Sequence, residues 1–206
     1  MANVSDLFYE ETFRPAFGRV LAGALMTICA LAGLSVVGAG ADALWQVWPW
    51  LALVAFGAWA LYWRPEVEVN AGGVRVVNVF RTLDVPWPAI TDIETKWALT
   101  LVTTLGTVRA WAAPAPGRQV LRRSQAEDLR LGGAGKGDMV RPSDLPQTES
   151  GAAALVVRQR WLRIREAGFL ADPRVEHDRM PVRWHVETIA GFALLTVAVV
   201  YGTFLR

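Results

Sequence analysis

Three uncharged apolar stretches stand out from an otherwise mixed sequence. Residues 20–37 (VLAGALMTICALAGLSVV) form the first. As a helix rising about 1.5 Å per residue they cover roughly 27 Å, close to the hydrocarbon thickness of a bilayer. The second, residues 43–63 (ALWQVWPWLALVAFGAWALYW), has Gln46 near its start as its one strongly polar residue. Trp45, Trp48 and Trp50 lie at one end and Tyr62 and Trp63 at the other, as expected for aromatic residues at two membrane interfaces. The third, residues 188–205 (TIAGFALLTVAVVYGTFL), is again uncharged. The pattern predicts a transmembrane hairpin (20–63) and a third membrane helix (188–205). A cleaved signal peptide also has basic residues before an apolar run and Ala-Asp-Ala after it. The length of the first stretch and the second span just beyond it point instead to a retained hairpin.

Between the second and third stretches the period changes to two. Val67 and Val69 alternate with Glu66 and Glu68, and Asn70-Ala71-Gly72-Gly73 is a turn signal. Further strands are expected at 74–80, 82–85, 90–96, 98–103 and 107–112, with Pro86-Trp87-Pro88 breaking the run. About six short antiparallel strands suit a small barrel or sandwich. Residues 114–149 carry Pro114, Pro116, Pro142 and Pro146 and the low-complexity GGAGKG of 132–137. Such a composition buries little apolar surface, so a mobile loop is expected. Gly135-Lys136 is not a phosphate loop, because Arg130 and Gly137 stand where that motif needs Gly and Ser or Thr. Residues 150–167 return to helical period: Ala154, Val157, Trp161 and Ile164 share a face, and Arg160 and Arg163 are expected to point away from it. This helix is read as a cap on the sheet.

Charge placement orients the scheme. Arg14 and Arg19 precede the first span, Arg64 follows the second, and Arg174, Arg179 and Arg183 precede the third, whereas the hairpin turn has no Lys or Arg. The positive-inside rule then puts residues 1–19, the domain at 64–168 and the linker at 169–187 in the cytoplasm. The hairpin turn and the C-terminal stub lie outside.

Hydrophobic residues make up 53% of the chain, concentrated in these blocks. A net charge of +2 gives no general basic field for nucleic acid. Cys29 is the single cysteine, so no intramolecular disulfide forms, and it falls in an apolar span as a small hydrophobe. The spans lack ionisable side chains at membrane depth, which argues against a transporter working alone. Gly23, Ala30, Gly33, Ala55, Gly57 and Ala58 supply close helix packing instead. No nucleophile motif, carboxylate pair or metal spacing accompanies His177 and His185, so no catalytic, metal or cofactor site is expected. Glu176, His177 and Asp178 read as solvated linker, and His185 beside Trp184 as an interfacial anchor.

Arg64-Pro65 leads into a strand, Gly73-Val74 opens the next, and Asn78-Val79-Phe80-Arg81-Thr82 leads to Val85-Pro86-Trp87-Pro88-Ala89-Ile90. With its helical hairpin and Pro-Trp-x-x-Ile turn, this order resembles the PH-domain membrane proteins of actinobacteria, sometimes called low-molecular-weight antigen 6-like. The resemblance covers residues 13–113. It implies a membrane α + β protein: an N-terminal transmembrane hairpin, a PH-like small antiparallel β-barrel or sandwich with a capping helix, and a C-terminal transmembrane helix. It implies little chemistry. Eukaryotic PH domains hold inositol lipids with Lys and Arg around the first strand pair, where this chain has only Arg75 and Arg81 nearby. The expected role is a non-enzymatic, membrane-anchored binding or scaffold module for an envelope protein or peptide. An anionic-lipid sensor is the alternative, and a subunit of a membrane enzyme or transporter comes after it. Candidate lipid or partner contacts are Arg75, Arg81, Arg118, Arg122, Arg123 and Arg130.

Overall fold

The computed structural model describes residues 10–38, 40–95, 97–114, 149–170 and 180–205. They fall into two compact units. One is built on the apolar helices and includes the short segment Asn78–Thr82; the other holds most of the strands and one helix.

In the helical unit, α1 spans Ala16–Val37 and α2 Ala41–Ala58, which runs on as one π-helical turn, Trp59–Trp63. The helix here labelled α4 spans Val186–Val200 and also ends in a π turn, Tyr201–Leu205. All three are long and apolar enough to cross a membrane. Their outer faces expose Phe17, Leu34, Leu194 and Phe204, a surface suited to lipid rather than water. Gly40, at φ 104°, makes the sharp entry to α2.

α2 packs against both α1 and α4. Two glycines set close spacing, and neither is among the small residues singled out from the sequence; Gly23, Gly33 and Gly57 have only ordinary contacts. A Cβ on Gly18 would meet the Tyr62 carbonyl at 3.4 Å, and one on Gly191 would run into the Phe56 ring. Pro49 lies within α2 and leaves the Trp45 carbonyl without its helical donor; Gly202 sits beside both. The start of α1, the end of α2 and the start of α4 therefore lie at one end of the unit.

The strands have the orders β1-β2-β3-β4-β8 and β5-β6-β7; they belong to the strand unit except Arg81–Thr82 of β4 and Arg183–Trp184 of β8, which count with the helical one. The strands are β1 Glu11–Phe13, β2 Glu66–Val69, β3 Gly73–Val77, β4 Arg81–Pro86, β5 Ile90–Glu94, β6 Ala98–Thr103, β7 Gly106–Pro114 and β8 Val182–Trp184. β2 pairs antiparallel with β3, setting Val67 opposite Val76 and Glu68 opposite Arg75. The alternation puts Val67, Val69, Val74 and Val76 in the core. β7 also runs against β2 and β3, bringing the sheets together around Leu99, Leu101 and Val108. Helix α3, Glu149–Glu166, lies across β2, β5, β6 and β7 and adds Ala153, Ala154, Val157 and Ile164 to the core. This is the PH-like small antiparallel fold with its capping helix.

Several details differ from the sequence expectations. β1 lies inside the stretch read as a plain N-terminal segment, and β8 inside the stretch read as linker. The strand expected over 74–80 stops at Val77, because Asn78 N–H donates to the Arg81 carbonyl at 2.9 Å and turns the chain. Arg160 was expected to face solvent and is 5% exposed. Its position three residues after Val157 puts it on the core-facing side, where the whole side chain, guanidinium included, is buried. The loop 114–149 beyond its two ends, together with His177 and its neighbours, lies outside the described residues.

Candidate ligand-binding cleft and the arginines

The turn between β2 and β3 is built by Asn70. Its Oδ1 accepts from the backbone N–H of Gly72 and of Gly73, each at 3.0 Å, a side-chain mimic of a backbone turn. Gly73 is required there for space, since a Cβ would fall on the Val85 carbonyl of β4. The turn is tied to Trp87, in the short 3-10 helix Trp87–Ala89. The indole N–H donates to the Asn70 carbonyl at 3.1 Å, and the Trp87 backbone N–H donates to Gly72 O at 3.3 Å. Trp87 is 3% exposed. Prolines on both sides fix the approach of the chain, as the Pro-Trp-Pro run suggests.

Helix α3 ends opposite this turn. Gly168, at φ 82°, occupies the left-handed position. Gly168 N–H donates to Arg165 O at 3.0 Å and Phe169 N–H to Ile164 O at 3.2 Å. Those two bonds define a Schellman end, which brings the residue after the glycine against the third residue from the helix terminus. Phe169 is thereby set beside Ile164.

The two ends enclose a cleft of about 210 Å³ lined by Ala71, Gly72, Trp87, Pro88, Ile164, Phe169 and Leu170. Among the described residues no charged side chain lines it. Phe169 is 67% exposed at its rim. The volume and lining suit one or two apolar side chains; among the described residues of the lining there is no cation for a phosphate. Sequence reasoning anchored Trp87 but missed the cleft. The usable signal was Gly168 directly after the helical period, which marks a Schellman end and so places Phe169.

The sequence candidates are scattered relative to this cleft. The Arg75 guanidinium is held by Asp84 at 2.7 Å and Glu68 at 3.4 Å. Hydrogen bonding to and charge from Asp84 raise its pKa above the ordinary arginine value, against a small opposing effect of burial and with a lesser contribution from Glu68. Arg81 belongs to the helical unit and stacks over Trp184, 5.9 Å from the ring centroid. Arg118, Arg122, Arg123 and Arg130 lie outside the described residues. His185 does more than anchor an interface. Its Nδ1–H donates to the Val79 carbonyl at 3.2 Å, and its Nε2 shares a hydrogen bond with the Thr82 hydroxyl at 2.8 Å. Its backbone N–H donates to Phe80 O at 2.9 Å.

Comparison with curated proteins gave no match, and comparison with solved structures gave none. Residues 64–141 match the family model described as Bacterial PH domain. Six of the observed strands, β2 to β7, start within that range. With the strand order and capping helix above, the match makes this chain a bacterial PH-domain-containing protein.

Proposed function

We infer that the chain is a non-enzymatic, membrane-anchored binding module that engages a protein or peptide of the cell envelope. The observation that carries this is the apolar cleft between the Asn70 turn and the end of α3, with Phe169 at its rim. A preformed apolar pocket beside exposed backbone suits an apolar side chain of a peptide better than an anionic headgroup. Arg75, the sequence candidate nearest the β2–β3 turn, is already engaged by two carboxylates. In this reading the three apolar helices are membrane spans. The arginines before α1, after α2 and before α4 keep the N-terminus and the PH-like domain in the cytoplasm, and the C-terminus lies outside.

The test compares full-length protein purified from native membranes with its Phe169→Asp variant. A defined protein should co-purify with the parent at high salt and be lost from the variant, while the melting temperatures stay equal. Equal retention by both would remove the cleft from the account. Capture that disappears with salt alone would favour a charge-driven surface.

A further inference from the structure

The helical unit carries a second feature, independent of the cleft. At the end where α1 starts, α2 stops and α4 starts, arginines lie on tryptophans: Arg19 over Trp63 at 4.6 Å, Arg64 over Trp59 at 5.5 Å and Arg81 over Trp184 at 5.9 Å. Arg64 also donates to the Thr188 hydroxyl. Arg81 and Trp184 differ from the other two pairs because they lie off the helices. Arg81 directly follows Val79–Phe80, the tip of the Asn78–Thr82 segment, which His185 fastens through Val79, Phe80 and Thr82.

The level of this tip along the helices can be read from its neighbour. The Phe80 ring lies 5.8 Å from Phe192 of α4, which in turn lies 5.0 Å from Phe56 of α2. One residue later the chain presents a charge. Phe80 thus meets the apolar helices where Arg81 meets Trp184, and Trp184 is 60% exposed. An apolar ring followed by an arginine on an exposed tryptophan is the composition of the boundary between acyl chains and headgroups.

Charge completes the argument. Among the described residues of this unit the carboxylates are Asp42, at the opposite end, and Glu187, in the first turn of α4. Arg19, Arg64, Arg81 and Arg183 all belong to the end that carries the stacks. No ion pair holds Arg81 among the described residues, and the Arg19 Nε–H is buried with no partner there. A guanidinium over an indole face leaves N–H groups that can reach two oxygens of a phosphate.

We propose that the Arg81–Trp184 stack binds the phosphate of an anionic phospholipid in the leaflet at this end of the helices. The lipid phosphodiester takes the guanidinium edge, and its acyl chains lie along the exposed face of α4. The site fixes the depth of the Asn78–Thr82 segment in the interface.

The test is native mass spectrometry of the full-length chain in neutral detergent, titrated with phosphatidylglycerol or phosphatidylcholine. Phosphatidylglycerol should bind preferentially, and Arg81→Gln should lower its affinity about fivefold, the effect of one basic residue near anionic lipid. Trp184→Leu, which keeps an apolar side chain, should weaken it in the same direction. Arg163→Gln, on the exposed side of α3, should leave it unchanged. Equal binding of the two lipids, or an Arg81→Gln variant that keeps the parent's preference, overturns the proposal. Inorganic phosphate displacing the lipid at comparable concentration overturns it as well, by assigning the site to a soluble anion. None of these results bears on the cleft, which Phe169→Asp tests.

Discussion

Trp87 and Asn70 are joined by a hydrogen bond of 3.1 Å from the indole N–H to the Asn70 carbonyl. That bond connects Trp87, a buried aromatic of the strand core, to the turn between β2 and β3. It also fixes one wall of the cleft. Trp87→Ala should destabilise the strand unit by about 3–5 kcal/mol. Trp87→Phe, which keeps most of the volume and loses the hydrogen bond, should cost about 1 kcal/mol. Denaturant unfolding of the two variants against the parent measures both. An alanine variant that unfolds with the parent would mean the indole is not a core residue.

The neighbouring glycines should respond differently to one added methyl. A Cβ on Gly73 collides with the Val85 backbone, which cannot move aside without breaking β4, whereas a Cβ on Gly72 would sit 3.6 Å from Asn70 Oδ1 in ordinary contact. Gly73→Ala should therefore lose several kcal/mol, as overpacking in a tight core does. Gly72→Ala should change stability by less than about 1 kcal/mol. Circular-dichroism melts of the pair decide this, and similar losses in both would contradict the turn geometry.

The Arg75 ion pairs are half-exposed, with the arginine side chain at 39%. Their contribution is accordingly small, up to about 1 kcal/mol, and screened by salt. The sign of its pH dependence follows from the raised arginine pKa. A cation whose folded pKa lies above its unfolded value stabilises fully below the unfolded value and loses that contribution only as pH rises through the folded one. Both lie far into the alkaline range. Arg75→Gln should thus lower stability modestly at neutral pH, and the difference should shrink in high salt. A parent–variant difference that vanished between neutral and mildly alkaline pH would contradict the sign.

Much of the architecture was legible because its signals are local. Length and lack of charge mark the three apolar helices. Alternation marks β2, where Val67 and Val69 are buried and Glu66 and Glu68 are not. β1 was not legible: Glu11-Thr12-Phe13 has too few positions to alternate, and its pairing of Glu11 with Val69 reaches across the whole hairpin. β8 was hidden in the same way among charged neighbours. The burial of Arg160 was missed because a charge on a helix reads as solvent-facing unless its stem has somewhere to pack. The cleft draws on residues from Ala71 to Leu170, and only Trp87 announced itself. Arg81 was singled out from sequence as a basic residue near a strand pair, but its partner Trp184 is about a hundred positions away and no periodicity links them.

Orientation is a separate prediction, resting on Arg14, Arg19, Arg64 and Arg183. Reporter fusions after Arg64 and near Lys136 should read cytoplasmic, and one at Asp42 external. A cytoplasmic Asp42 would invert the scheme.

Binding in this reading depends on the cleft beside Phe169 receiving a protein side chain. Photo-crosslinking from a benzoylphenylalanine placed at Phe169 of the full-length chain, in intact cells, tests it most directly. A discrete protein adduct is expected, one that disappears when Ile164→Asp puts a charge in the apolar wall while the chain stays membrane-inserted. Adducts to lipid alone, or a protein adduct unchanged by Ile164→Asp, would contradict it.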